Sequence, residues 1–227
     1  MAKAYGRKTK KKVGEILHIA HQDAAMEMLA QIPDKQLIGH LFSYFYNRDE
    51  LIKFRSITAM GALGARMGQE KMEPARNLLR RIMWNLNDES GGIGWGSPEA
   101  MGEILCQSPG LAREFKSILF SYLRPGGNFV EHEMLQRGVL WGVGTYLKSN
   151  PKDLEQETKE LLSQHLQSLD SVKSVYALRA LLNTNYFQDN PIPDSTVLDR
   201  KEIDIFKNWH FIRTSAFDMV QQAVTKY

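Results

Sequence analysis

Apolar side chains recur at three- and four-residue intervals from about residue 13 to residue 184, and no alternating β-branched run interrupts them. Ala75, Leu78, Leu79 and Ile82 follow the i, i+3, i+4, i+7 rhythm, as do Phe115, Ile118, Leu119 and Tyr122. Leu162, His165, Leu166 and Leu169 repeat it once more. Each set paints one stripe of a helix, and that stripe needs a neighbour to cover it. Trp84 continues the stripe after Ile82 and Met83. Boundaries are marked by Ser97-Pro98, Ser108-Pro109 and Asn150-Pro151, where a capping residue precedes a proline at the first helical position. Asp153 adds an acid to the first turn after Asn150, favourable against the helix dipole. After Asn185 the texture changes. Tyr186–Asp199 reads as a loop with Pro191 and Pro193, and Lys201–Phe206 and Trp209–Ile212 alternate around a turn at Lys207-Asn208. That pattern predicts a β-hairpin, which needs something to pack on; the last helix pair is the expected support. Phe217–Val224 returns to a helical rhythm.

The helices carry a repeat. Ala59-Met-Gly-Ala-Leu63 returns as Ala100-Met-Gly-Glu-Ile104, then loosely as Leu140-Trp-Gly-Val-Gly144 and Ala177-Leu-Arg-Ala-Leu181. Spacings near 40 residues with a helical pattern in each unit predict stacked helix pairs of the HEAT/armadillo type. The expected fold is therefore all-α, an α-solenoid of about four helix pairs over residues 15–184. A flexible basic tail at 1–14 precedes it, and a loop and hairpin cap at 185–227 follow. Gly61, Gly64, Gly102, Gly142 and Gly144 fall inside predicted helices, where each costs about 1 kcal/mol relative to alanine. Close approach of neighbouring helices offsets that cost; a glycine-lined ligand contact is the alternative.

Composition narrows the classes. The chain of 227 residues is 43% hydrophobic and 24% charged, the balance of a globular protein. Its longest stretch free of Lys, Arg, Asp and Glu, Gln36–Asn47, falls short of the roughly 20 apolar residues of a membrane span. The first residues lack the apolar core of a secretory signal, and the single Cys106 can form neither an internal disulfide nor a multi-cysteine zinc site, so a cytoplasmic setting is expected. The net charge of +3 is unevenly spread. Six of the 29 basic residues lie in positions 1–14, which hold no acid, so the remainder carries 23 against 26. The terminal cluster can hold phosphates or simply be solvated. A body of net charge −3 is poorly suited to gripping duplex DNA.

The repeat resembles HEAT-like repeats of the phycobilisome-lyase type, whose second helix opens with Asp and a Val-Arg pair followed by Ala and Leu. Phe54-Arg55, Ala59 and Leu63 fit, as do Val172-Lys173, Ala177 and Leu181; Trp95-Gly96 replaces the Val-Arg pair in the second unit. Asn87–Gly96 (Asn-Asp-Glu-Ser-Gly-Gly-Ile-Gly-Trp-Gly) is also similar to a stretch that marks an uncharacterised bacterial HEAT-like family. The resemblance implies a fold more than a function, because its relatives include bilin lyase subunits, protein-binding scaffolds and DNA glycosylases. Such glycosylases use a groove Trp and an Asp one helical turn later. Trp84 and Asp88 have that spacing, but Trp84 belongs to an apolar stripe and Asp88 to a helix end.

Two segments concentrate unusual residues. The glycine-rich Asn87–Gly96 loop, with Asp88, Glu89 and Trp95, precedes a helix start that can receive an anion; equally, its glycines can serve only to fold the loop back. It holds neither a P-loop nor a dinucleotide fingerprint. Glu99 and Glu103 follow one turn apart, and one repeat later come Glu131, His132, Glu133, Arg137 and Trp141. Stacking of equivalent positions would bring Glu99 or Glu103 opposite Glu133 or Arg137, as a structural ion pair or a ligand clamp. His18 and His21, and Phe42, Tyr44, Phe45 and Tyr46, read as surface and as a seal on the first repeat, respectively. The expected role is a binding module whose concave face, through Asn87, Asp88, Glu89, Trp95, Glu99, Glu103, Glu131, His132, Arg137 and Trp141, grips a protein partner. No catalytic residue, metal or cofactor is assigned. A groove enzyme or ligand-binding protein, lyase-like or glycosylase-like, is the alternative.

Overall fold

The computed structural model describes residues 2–87, 94–191 and 200–224. The helices are α1 (Ala2–Leu17), α2 (Gln22–Ala30), α3 (Asp34–Tyr44), α4 (Glu50–Glu70), α5 (Met72–Asn87), α6 (Ser97–Gln107), α7 (Pro109–Ser121), α8 (Glu133–Ser149), α9 (Gln156–His165), α10 (Ser171–Leu182), the short α11 (Tyr186–Asp189) and α12 (Ala216–Val224). Strands β1 (Ile203–Lys207) and β2 (His210–Thr214) form an antiparallel pair. The protein is thus mostly helical with one small sheet, and no described helix is long and apolar enough to cross a membrane.

The four copies of the repeat lie on α4, α6, α8 and α10. These helices pack side by side, α4 on α6, α6 on α8 and α8 on α10, bringing together residues about 40 positions apart. They run in the same direction: Gly64 meets Ile104 and Gly68 meets Ser108, Gly102 meets Gly142, and Asn183 donates to the Gly144 carbonyl. Each is preceded in the chain by a helix that packs on it: α3 on α4, α5 on α6, α7 on α8 and α9 on α10. The stripes predicted on α5 and α7 are inward, with Ala75, Leu78, Leu79, Ile82, Phe115, Leu119 and Tyr122 all buried. Helix glycines serve packing where two backbones touch. A Cβ on Gly102 would stand 2.3 Å from the Gly142 carbonyl oxygen, and one on Gly142 would stand 2.4 Å from that of Pro98. No side chain fits between α6 and α8 there.

Several local expectations change. Gly96, not Ser97, precedes α6, in a left-handed conformation (φ 72°) that puts its Cα against the Phe45 ring. Asn150-Pro151 opens only a 3₁₀ turn, Pro151–Asp153, and α9 starts later, after Glu155. The third stripe consequently ends early: α9 stops at His165, and Leu169 stands fully exposed. Trp84, expected on an apolar face, is 72% exposed because Leu79 and Ile82 already occupy the buried side of α5. The basic N-terminal segment is helical from Ala2, and its last turns dock through buried Val13, Ile16 and Leu17. The Tyr44 hydroxyl donates to the Lys10 carbonyl at 2.9 Å. Its exposed basic side chains alternate with an apolar stripe, which is why a segment that reads as a solvated tail folds onto α3 instead.

The hairpin also sits elsewhere than expected. Its turn is Asn208-Trp209, both at positive φ (50° and 72°), with Lys207 paired to His210. That two-residue turn with left-handed residues matches the twist of the strands. Rather than capping the last helix pair, the turn reaches the opposite end of the chain, against the end of α1 and α4, while α11 and α12 pack on α10.

Candidate functional site

Trp209 anchors the hairpin. Its indole N–H donates to the Ile19 carbonyl at 2.8 Å, and its own carbonyl accepts from Arg55 Nε at 2.9 Å. The Arg55 guanidinium also donates to the Leu17 carbonyl at 2.9 Å, so one buried side chain of α4 ties the end of α1 to the hairpin turn. A bulky residue at φ 72° costs on the order of 1–3 kcal/mol. Burial of the whole indole, 2% exposed, and its two polar contacts offset that strain.

From this anchor the hairpin packs its aromatic side on α4. Phe54 of α4 stacks on Phe206 (5.4 Å between centroids) and meets Phe211 (5.5 Å) and Trp141 of α8 (5.1 Å) edge-on. Trp141 in turn meets Tyr176 of α10 at 5.0 Å, and the Arg179 guanidinium lies 3.9 Å from the Trp141 ring centre. Trp141, expected at the surface of a binding groove, is instead buried among Phe54, Tyr176 and Arg179, and Phe54 links it to the hairpin. The reason is legible in chemistry: the face carries Phe54, Trp141 and Tyr176, an apolar area that folding covers.

The paired carboxylates are part of this covered region. Glu99 is buried, its Oε2 has no hydrogen-bond partner among the described residues, and its carboxyl rests against Gly138, where a Cβ would come within 2.6 Å. Burial raises its pKa, and the charge of Lys53 opposes this only in part. Glu103 is half-buried; burial raises its pKa too, against the charges of Arg179 and Lys148 and a hydrogen bond from Gln107. Arg179, pushed down to about 10 by burial and held up by Glu103, donates to the Trp141 carbonyl and to Thr145 Oγ1. The expected pairing of Glu99 or Glu103 with Glu133 or Arg137 is not formed. Arg137 pairs instead with Asp170 of the next helix at 2.8 Å, because the N-terminal turns of α8 and α10 lie side by side. Burial also raises the Cys106 thiol, whose Sγ lies 3.0 Å from Ser149 Oγ, an inert arrangement for a nucleophile. No three His, Cys, Asp or Glu side chains converge to hold a metal among the described residues.

The remaining predicted residues mark the edge formed by the N-terminal ends of α6, α8 and α10. Half-buried Trp95 meets His132 edge-on at 5.4 Å. His132 caps α8, its Nδ1 accepting from the Met134 N–H at 3.2 Å. Glu131 is exposed, and its carbonyl accepts from the Gln136 side chain. Asn87 is exposed at the end of α5, whereas Asp88 and Glu89 lie outside the described residues. Next to this edge opens a cleft of ≈ 560 Å³ lined by Glu133 and Arg137 of α8, Leu169, Asp170 and Lys173 at the start of α10, and Ile203 of β1. Asp170 accepts from the Val172 and Lys173 N–H groups and so caps α10. Burial pushes its carboxyl up, but Arg137 and these backbone donors win and hold its pKa below the usual range. Buried Lys173 donates to Gln136 Oε1 at 2.6 Å and lies 3.6 Å from Glu133. Asp170, Lys173, Arg55, Arg179 and Trp209 were not among the expected site residues. A signal existed for the first: an Asp two positions before Val172-Lys173 is where the helix-opening pattern places one. Arg55 fits the same helix-opening pattern, but nothing local marks Trp209 or the contact between the two, which joins residues 154 apart, as the Trp209–Ile19 bond joins residues 190 apart.

No protein-family model matches the chain. It is 31% identical over 104 residues to an uncharacterised protein of Archaeoglobus fulgidus, a match covering 46% of this chain and 50% of that one, so it spans about half the length of this relative. Among solved structures it is similar to the crystal structure of an engineered protein, with a TM-score of 0.44 and 13% identity over 77% of this chain and 78% of that one.

Proposed function

We propose that the chain is a HEAT-like α-solenoid of four helix pairs (α3–α4, α5–α6, α7–α8 and α9–α10) that serves as a binding module for a protein partner. The same-direction packing of α4, α6, α8 and α10 at a spacing of about 40 residues supports the fold reading. Trp141 and Glu99, in the middle of the face expected to bind, are buried, so the reading moves the partner to the open edge at the starts of α8 and α10. One observation carries this: Leu169 stands fully exposed on the rim of a cleft that also holds the Arg137–Asp170 pair. An apolar anchor bordered by ion-paired groups has the composition of an interface centre and its rim. Glu99 and Glu103, the carboxyls that burial raises, do not line this cleft, and its Asp170 is already engaged by Arg137 and two backbone N–H groups.

Crosslinking in cells that express the native chain tests the reading. Leu169→Asp combined with Arg137→Ala should remove crosslinked protein partners while leaving the circular dichroism spectrum unchanged. If a folded variant keeps the full set of crosslinks, the edge is not the binding face.

A further inference from the structure

A second surface, at the other end of the chain, has a different chemistry. Helix α1 buries Val13, Ile16 and Leu17 on one side and exposes Arg7, Lys8, Lys10, Lys11 and Lys12 on the other. Between α1 and the last turn of α2 lies a cleft of ≈ 760 Å³. Its walls carry Lys8, Lys11 and Lys12 against the single acid Glu15, which sits 3.7 Å from Lys11. Its floor is apolar: Ile16, Ile19 and Met28, the last 43% exposed despite its position beside buried Leu29. The acids of α2, Asp23 and Glu27, do not line it.

We propose that the cleft between α1 and α2 is a docking site for an acidic peptide segment, one that inserts apolar side chains between Lys8, Lys11 and Lys12 and onto Ile16, Ile19 and Met28. Charge complementarity selects the sign of the ligand: three lysines and one carboxylate leave an excess of two positive charges around the opening. The apolar floor selects the class. A nucleic-acid strand gains from lysines through its phosphates but stacks its bases on aromatic rings, and the lining contains none. An acidic bilayer takes up a broad exposed apolar face, whereas of the apolar groups here Ile16 is buried, Ile19 half-buried and only Met28 exposed. A short amphipathic segment with acids flanking Leu- or Met-sized side chains satisfies both walls and floor, in the manner of a helix laid in a groove. This surface is separate from the edge at α8 and α10, so either can fail without the other.

The test uses the full chain and four probes in fluorescence anisotropy. They are a labelled peptide of about 12 residues built from Glu-Glu-Leu-Leu units, the same peptide with every Leu replaced by Ser, an oligothymidylate of similar length, and phosphatidylserine vesicles. The Glu/Leu peptide should bind, and its affinity should fall with added salt. Replacing Leu by Ser should weaken binding by roughly tenfold or more. Charge reversal at Lys8→Glu, Lys11→Glu and Lys12→Glu should abolish it, and Met28→Ser should weaken it with no change in charge. All four substitutions are at exposed positions, and an unchanged melting curve verifies each variant. No binding of the Glu/Leu peptide, or binding that survives both the charge reversal and Met28→Ser, overturns the proposal. Tighter binding of the oligonucleotide or the vesicles overturns it in favour of that ligand. Leu169→Asp should leave peptide binding intact, which separates this result from any result at the other edge.

Discussion

Helices α8 and α10 each serve two regions that differ in almost every physical respect. At Trp141 and Tyr176 the central row is aromatic and buried; toward the N-terminal ends, at Arg137 and the cap residue Asp170, it is ionic and open. The covered region holds its polar groups at a cost, with Glu99 Oε2 and Trp141 Nε1 lacking partners among the described residues. The open region satisfies its own: Asp170 alone accepts from Arg137 and from two backbone N–H groups. Polar groups left unsatisfied under an apolar cover belong to the core of the fold, and satisfied charges beside an exposed Leu169 are what a surface that meets a partner can keep.

The strongest way to break this contrast is to remove the cover. Trp209→Ala deletes the indole that fills the junction of α1, α4 and the hairpin, together with its bond to Ile19. A loss of about 3–5 kcal/mol is expected from a fully buried tryptophan. Chemical denaturation measures it, and hydrogen exchange should show the Ile205 and Ile212 amides of the hairpin losing protection before those of α6. Loss of less than about 1 kcal/mol would mean that the hairpin is not what seals the face. Next in size, Gly102→Ala places a methyl 2.3 Å from the Gly142 carbonyl oxygen. Backbone cannot yield as a flexible side chain can, so separation of α6 from α8 should cost about 1–3 kcal/mol. Gly39→Ala, on exposed α3 with nothing within 4 Å, is the control and should be neutral or slightly stabilising.

The row beneath this contrast was readable in the chain, because its helices repeat: Ala59, Ala100, Leu140 and Ala177 lie on four successive neighbours. Helix periodicity is a local signal, and the internal copies supply the next level by pairing each helix with the one about 40 residues on. What covers the row was not readable. The alternation in Ile203–Phe206 and Phe211–Ile212 announces a hairpin, but its destination depends on Arg55 and Ile19, far away in sequence, and on a tryptophan in a left-handed turn position. Leu169 was misread for a related reason. It continues the rhythm of Leu162 and Leu166, yet α9 has already ended, and Asp170 starts a new helix by capping it. Of the expected site residues, Trp95 and His132 come together and Arg137 reaches the cleft, whereas Glu99, Glu103 and Trp141 belong to the covered side.

The covered carboxyl gives a subtler test. With its folded pKa raised by burial, Glu99 holds its proton more tightly in the folded chain than in the unfolded one. Below the unfolded carboxylate value of about 4.3 both states are protonated and nothing is lost. As pH rises from there through the raised folded value, the unfolded state sheds the proton first, and stability falls across that window. Glu99→Gln keeps the shape and removes the titration, so urea melts between pH 4.5 and 7 should fall less steeply for the variant than for the parent chain. Identical slopes would place Glu99 in contact with solvent. Asp170 titrates in the opposite sense: its lowered pKa contributes stability above the unfolded value, which is lost as pH falls through the folded one.

The smallest effect on stability is expected at the pair that matters most for the open edge. Arg137 is about a third exposed and Asp170 less so, and the ion pair between them at 2.8 Å is partly screened by water. Arg137→Ala should therefore cost about 0.5–1 kcal/mol, since Asp170 keeps its two backbone bonds. Asp170→Ala should cost more, about 1–2 kcal/mol, because it also uncaps α10. The order of the two separates cap from pair. A larger loss for Arg137→Ala would mean that the guanidinium is needed by the fold, and the edge would then resemble the covered region one turn away. With the expected order, the guanidinium contributes little to folding, and its position in the cleft beside an exposed leucine leaves it available to the partner proposed above.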